Sequence, residues 1–120
     1  MSKKTVVIGA STNSERYSNR AVRMLKRNNH EVIAIGIDKG SIDDIVIEND
    51  KKHYENVDTV TLYLNPQRQK EYYDYILSLK PNRIIFNPGT ENDELENLAV
   101  QNKIQPLEAC TLVLLTTGQY

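Results

Sequence analysis

The sequence holds one cysteine, Cys110, and two histidines, His30 and His53. A lone thiol excludes an internal disulfide framework and a cysteine-based metal cluster. The histidines form no His-x-x-x-His pair, and no paired-carboxylate signature or nucleophile elbow accompanies them. An excess of one charge is missing too: 15 basic and 16 acidic side chains leave a net charge of −1. No global field draws the chain to nucleic acid or an anionic membrane, so any anion site must be local. Long hydrophobic runs are absent. The apolar stretch after Met1-Ser2-Lys3-Lys4 covers about five residues, too short for a signal peptide or a membrane span. The expected location is the cytoplasm, with neither nucleic acid nor membrane as a partner. Glycine is scarce, with five in the chain, and only Gly9 stands at the end of the first strand. The G-x-G-x-x-G dinucleotide fingerprint and the Gly-Lys-Ser/Thr of a P-loop are therefore not present.

What remains is the composition of one folded unit. The 120 residues suit a single domain over 1–120, which buries roughly two-thirds of the surface of its unfolded chain. Thr5 to Ala10 is an apolar run with β-branched residues on both faces, as in a strand covered from both sides. Tyr17 to Asn29 reads as a helix with Ala21, Val22, Met24 and Leu25 inward and Ser18 as its cap. Glu31 to Ile37 is a second strand and Val57 to Leu64 a third. Between them, Asp38 to Asp44 reads as a loop and Ile45-Val46-Ile47 as an optional short strand. Asn65-Pro66 opens a helix running to about Leu79, since a capping side chain precedes a proline at the first helical position. Tyr72, Tyr73 and Tyr75 read as packing of that helix. Arg83 to Asn87 is the fourth strand. Thr90 to Asn102 is a third helix with Thr90 and Asp93 as a capping box, and Ile104 to Leu107 is a fifth strand. Cys110 to Leu115 is a helical turn or a strand. Its Leu112 to Leu115 run reads as core, with a homodimer contact as the alternative.

Strand–helix alternation predicts an α/β, Rossmann-like three-layer sandwich with a parallel five-stranded sheet in the order 3-2-1-4-5. Ligands of such sheets sit at the carboxyl ends of the strands, where the winding direction reverses. In the predicted order this point lies between the first and fourth strands, and the loops Gly9 to Arg16, Gly36 to Gly40, Leu64 to Arg68 and Asn87 to Glu91 are expected to converge on it. Gly9 to Arg16 is the strongest phosphate candidate, because Ser11, Thr12, Asn13 and Ser14 are small and lead into a helix N-terminus. Arg16 and Arg20 can add charge-assisted bonds there. Arg68 and Lys70 lie near the second helix start. The third carries Glu91, Asp93 and Glu94, which satisfy the dipole and repel a phosphate. Asp38 suits a ribose hydroxyl and Lys39 an extra phosphate.

The Val-Ile-Gly-Ala-Ser opening, Val7 to Ser11, with Arg16-Tyr17-Ser18 resembles the small coenzyme A-binding domain proteins. These are relatives of the N-terminal domain of the succinyl-CoA synthetase α-subunit and of ADP-forming acyl-CoA synthetases. The likeness runs from about Thr5 to Leu112 and takes in Leu64-Asn65-Pro66, Asn87-Pro88-Gly89 and Glu108-Ala109-Cys110. It implies a pyrophosphate lined by Gly9, Ala10, Ser11 and Arg16, with Thr12, Asn13, Tyr17 and Ser18 around it. Asp38 and Lys39 would lie near the nucleotide end. Leu64, Asn65 and Pro66 would flank the ligand, and Asn87, Pro88 and Gly89 would close the other side. Two segments depart from the family: Gly36-Ile37-Asp38-Lys39 replaces an Asn-Pro-Lys-like turn, and Asn87-Pro88-Gly89-Thr90 replaces a loop bearing Gln or Glu. The implied role is a stand-alone binder of coenzyme A or an acyl-CoA without catalytic machinery of its own. The alternatives are an NAD(P)-binding protein of redox or regulatory use and a subunit of an acyl-CoA synthetase-type complex. Cys110 reads as a small buried residue, with a thiol facing the cleft as the alternative.

Overall fold

The computed structural model describes residues 2–120. Its strands are β1 (Thr5–Ile8), β2 (Val32–Ile35), β3 (Ser41–Ile42), β4 (Ile45–Glu48), β5 (Thr59–Leu62), β6 (Arg83–Phe86) and β7 (Gln105–Glu108). The helices are α1 (Tyr17–Arg27), α2 (Pro66–Gln69), α3 (Tyr73–Leu79), α4 (Asp93–Gln101) and α5 (Thr111–Thr116). Every residue of β1 and β5 is buried, as expected for strands covered on both faces. Alternation of side chains splits the core in two. Val6 and Ile8 pack with Ile76 of α3 and Leu95 of α4, while Val7 packs with Val22 and Leu25 of α1 and Leu115 of α5.

The architecture is α/β with a mostly parallel sheet, consistent with a Rossmann-like fold, but the predicted strand count and order are corrected. The sheet has seven strands in the order β3-β4-β2-β1-β5-β6-β7. The third predicted strand, now β5, pairs with β1 through Thr5–Thr59 and Ile8–Leu62 instead of lying outside β2. The cause is what fills the outer edge of β2. No helix separates β2 from β5. A tight hairpin does, and its second arm runs parallel to β2, pairing Ala34 with Ile47 and Ile35 with Glu48. With that edge occupied, β5 must enter on the far side of β1. The point of reversal therefore lies between β1 and β5, one strand away from where it is predicted. The hairpin hides in the predicted loop because β3 is only two residues long; Ile42 pairs with Ile45 across a turn in which Asp43 takes φ 54°.

Three helix boundaries also differ. Arg16, not Ser18, occupies the cap position of α1, and Ser18 is buried inside the first turn. The long second helix breaks into α2, a 3-10 turn (Lys70–Tyr72) and α3. The first of its two starts is as predicted, with Asn65 Oδ1 accepting from Arg68 N at 2.9 Å. The capping box at Thr90 gives way to Asn92, whose Oδ1 accepts from Leu95 N at 3.3 Å. The last apolar segment is the helix α5. At the far edge, Gln105 and Ala109 donate inward to β6 and its flank. Of the two outward donor positions between them, 106 and 108, the first is Pro106 and has no N–H, so a further strand cannot complete a ladder there.

The carboxyl ends of β1 and β2 approach closely. Gly9 N and Ala10 N both donate to Ile35 O, at 2.8 and 2.9 Å. A Cβ at Gly36 would sit 2.3 Å from Ala10 O, a clash with backbone that no side chain can relieve. Replacing Gly36 with Ala should cost about 2 kcal/mol of stability, the middle of the overpacking range. Urea unfolding reads this directly, and an unchanged midpoint would refute the contact.

Candidate functional site

The carboxyl ends of β1, β2, β5 and β6 frame a cleft of about 360 Å³. Its floor is the glycine pair. Gly9 takes φ +96°, and a Cβ there would lie 3.0 Å from the Tyr63 carbonyl carbon. At both glycines a Cβ would meet the backbone of a neighbouring segment, so the residue type is set by packing beneath the floor. One wall is the start of α1, with Arg16, Tyr17 and Ser18, and the other is Leu64, Asn65, Arg68 and Tyr72. Pro88, Gly89 and Thr90 close the end over β6, while Ile37 and Asp38 close the end over β2.

Of the residues predicted for the site, the cleft gathers Gly9, Ala10, Ser11, Arg16, Tyr17, Ser18, Asp38, Leu64, Asn65, Pro88 and Gly89. Thr12, Asn13, Lys39, Pro66 and Asn87 do not line it. Asn87 lies beneath it: its Nδ2 donates to Thr61 Oγ1 and Leu62 O at 2.6 and 2.8 Å, and its Oδ1 accepts from Thr111 N at 2.8 Å. That side chain ties β5, β6 and α5 together. Thr12 and Asn13 are spent on the loop itself. Asp38 Oδ2 accepts from Thr12 N at 3.0 Å and from Ser11 Oγ at 3.1 Å, and Asn13 N donates to Ser11 Oγ at 3.1 Å. Asn19 of α1 fastens the loop from behind, its Nδ2 donating to Ser11 O at 2.9 Å.

The cleft also contains Gly36, Ile37, Arg68 and Thr90, which lie in the loops expected to converge there but were not singled out as ligand contacts, and Tyr63 and Tyr72, which sequence reasoning did not assign to it. Gly36 and Ile37 adjoin Asp38 and carried a usable signal, a glycine at the end of a strand. Arg68 stands beside a recognised helix start. Tyr72 was assigned to helix packing and does lie buried in the core, and it lines the cleft as well. Tyr63 carried no signal. Its hydroxyl is buried without a hydrogen-bond partner, and burial pushes its ionisation well above that of a free tyrosine. Cys110 is half-buried at the start of α5 and does not line the cleft. His30 lies at the opposite end of the sheet, accepting at Nδ1 from Lys3 N at 2.9 Å. Burial lowers its affinity for a proton.

The electrostatics favour an anion at one helix. No side chain caps α1 and no acidic residue occupies its first turn, so its free N–H groups and positive dipole end are open. Among the described residues, neither Arg16 nor Arg68 belongs to an ion pair. The one acidic side chain lining the cleft is Asp38. The Thr12 amide, the Ser11 hydroxyl and nearby Arg16 hold its carboxyl below the usual aspartate value. A depressed carboxyl contributes its loop contacts above its unfolded pKa and loses them as pH falls through the folded one. In an NMR titration, the Thr12 amide resonance should follow a midpoint below that of an unperturbed aspartate. A midpoint at or above the unperturbed value would contradict the Asp38 latch.

A family model described as a CoA binding domain matches residues 3–116. A search of curated proteins found no match. Among solved structures, a crystal structure of an uncharacterized protein shares 49% sequence identity and a TM-score of 0.98, covering 100% of this chain and 99% of its own. Two more distant ones share the fold. One, titled cell-free ID.343 from Thermus thermophilus, has 17% identity, a TM-score of 0.85 and coverage of 99% and 91%. The other, a conserved hypothetical protein from Pyrococcus furiosus, has 18% identity, a TM-score of 0.81 and coverage of 92% and 97%. With nearly its whole length matched by that one model, the chain belongs to the CoA-binding domain family.

Proposed function

We propose that the protein binds coenzyme A, or an acyl-CoA, in the cleft between α1 and α2, and acts as a stand-alone binder without catalytic machinery of its own. The observation that carries this reading is the open start of α1. A helix N-terminus without a capping side chain or a first-turn acid presents N–H donors and partial positive charge to a diphosphate. Gly9 and Gly36 line the cleft, so main chain forms part of its floor, and Arg16 supplies a unit positive charge on the rim. These residues fit the group. Gly9, Ala10, Ser11 and Arg16 would hold the diphosphate. Leu64, Asn65, Pro88 and Gly89 would flank the pantetheine chain, which is largely uncharged. Bound there, coenzyme A would present a thiol or thioester for another protein's chemistry.

The competing nicotinamide reading rests on Asp38 at the end of β2. One oxygen of that carboxylate already serves the Ser11–Thr12 loop, which weakens Asp38 as a ribose acceptor. Thermal shift with coenzyme A, dephospho-coenzyme A, NAD and NADP separates the two. A ligand at about a hundred times its dissociation constant stabilises by ~2.7 kcal/mol, several degrees for a domain of this size. Coenzyme A is expected to give the largest shift, and a response to NAD alone would reject the proposal. Arg16→Ala should weaken coenzyme A binding about tenfold, as for a lost charge-assisted hydrogen bond, while leaving the unliganded melting temperature almost unchanged. Equal affinity in the variant would remove Arg16 from the site.

A further inference from the structure

The wall facing α1 contains a fully buried polar side chain that the binding reading does not use. Gln69 has no solvent exposure. Its Nε2 donates to Leu64 O and to Thr90 O, both at 2.8 Å, and its Oε1 accepts from Asn92 Nδ2 at 2.8 Å. One side chain therefore staples the β5–α2 loop to the β6–α4 loop, the two segments that line this side of the cleft. A second fastening acts on the same turn, because Asn65 Oδ1 accepts from Arg68 N. Arg68, held between these anchors, lines the cleft and has no ion-pair partner among the described residues. The helical path continues past Gln69 as a 3-10 turn, so these bonds and the helix that follows together fix the turn that carries Arg68.

We infer that Arg68 is a second cationic contact for the bound anion, opposite Arg16, and that Gln69 is the positioning residue that sets its place. The inference rests on the coenzyme A reading above and deepens it. A long flexible arginine loses less entropy on binding when its backbone is already fixed. A buried amide with every bond made is a strong fixative, since each broken bond leaves a buried group unpaired. The clamp also transmits to Thr90, so the end of the cleft over β6 moves with the Arg68 turn or not at all.

The test is a double-mutant cycle read by calorimetric titration with coenzyme A. Arg68→Ala should weaken binding about tenfold, the scale of a charge-assisted contact, and Gln69→Met by a similar factor. The double variant should bind like Arg68→Ala alone, because a positioning residue has nothing left to position. A Gln69 that merely holds the fold together would weaken both backgrounds equally, and additive losses would overturn the inference. Wild-type affinity in Arg68→Ala would overturn it too. Gln69→Met takes the donor from the Leu64 and Thr90 carbonyls, while Asn92 Nδ2 keeps its bond to the Tyr73 hydroxyl, so the cycle is run in parallel with Gln69→Asn. That variant keeps an amide in the pocket but is one methylene short, and the same non-additivity is expected. Arg16→Ala serves as the reference. Weakened binding there with an additive Arg68–Gln69 cycle defeats this inference and leaves the coenzyme A reading standing. No coenzyme A binding by the wild type defeats both.

Discussion

The carboxyl ends of β1 and β2 are pressed together more tightly than side chains allow, and the rest of the molecule is arranged around that contact. Two successive amides, Gly9 and Ala10, share the Ile35 carbonyl, and Gly36 lies where any Cβ would strike Ala10 O. The chain leaving β1 must turn at once, and Gly9 turns it with a positive φ. The loop that follows is short of room and bonds to itself and to Asp38. This delivers α1 with its first turn at the mouth of the cleft. The glycines thus serve packing: the absence of Cβ atoms lets the strand ends close and so fixes where the floor of the cleft lies.

Beneath that floor the fold keeps a layer of buried polar groups, which is costly unless every bond is made. Asn87 makes three bonds, to Thr61, Leu62 and Thr111, and Gln69 makes three, to Leu64, Thr90 and Asn92. Neither belongs to a helix or strand ladder. Each joins segments distant in sequence at the carboxyl end of the sheet, where strands stop and loops would otherwise be free to move. The amino end is held differently, by Arg83 donating to Thr59 Oγ1 and to the Tyr120 carbonyl. Amide clamps give fixed loops without adding charge under the cleft, so the field there is left to Arg16, Arg68, the α1 dipole and the opposing Asp38 carboxylate.

The parallel strands and the helices between them were legible because their signals are local. Alternate residues of Thr5–Ile8 face two cores, and Ala21, Val22 and Leu25 repeat at helical spacing. Strand order was not legible, because it turned on a hairpin whose first arm is Ser41–Ile42, too short for periodicity to register. Part of the cleft was legible for the same local reasons: a strand ending in Gly9, small loop residues, an arginine before a helix. Arg68 and Thr90 lie in loops expected at the carboxyl ends, whereas Tyr63 and Tyr72 were harder, since both reach the cleft through tertiary packing that no local pattern announces. Asn87 shows the converse error of resolution. Its place at the end of a strand was read correctly, yet its side chain turns into the protein because Thr61 and Thr111 offer partners there.

Three helices begin near the cleft, and their starts are not equivalent. α2 begins under Asn65, which takes the Arg68 amide, and α4 begins under Asn92 with Asp93, Glu94 and Glu96 in its first turn. Those two are satisfied by the protein itself, and the second would repel an anion. α1 has neither cap nor acid, and its basic residues Lys26 and Arg27 sit at the opposite end, where they suit the negative pole. A protein with a net charge of −1 has no long-range pull on a phosphate, so selectivity must come from such differences between neighbouring helix ends. The chain distributes caps and carboxylates so that a single dipole faces the cleft unopposed. Asp38 is the exception on the rim: its carboxylate fastens the loop through Thr12 and Ser11 and also acts on Arg16, so the positive field is offset most at the end of the cleft over β2.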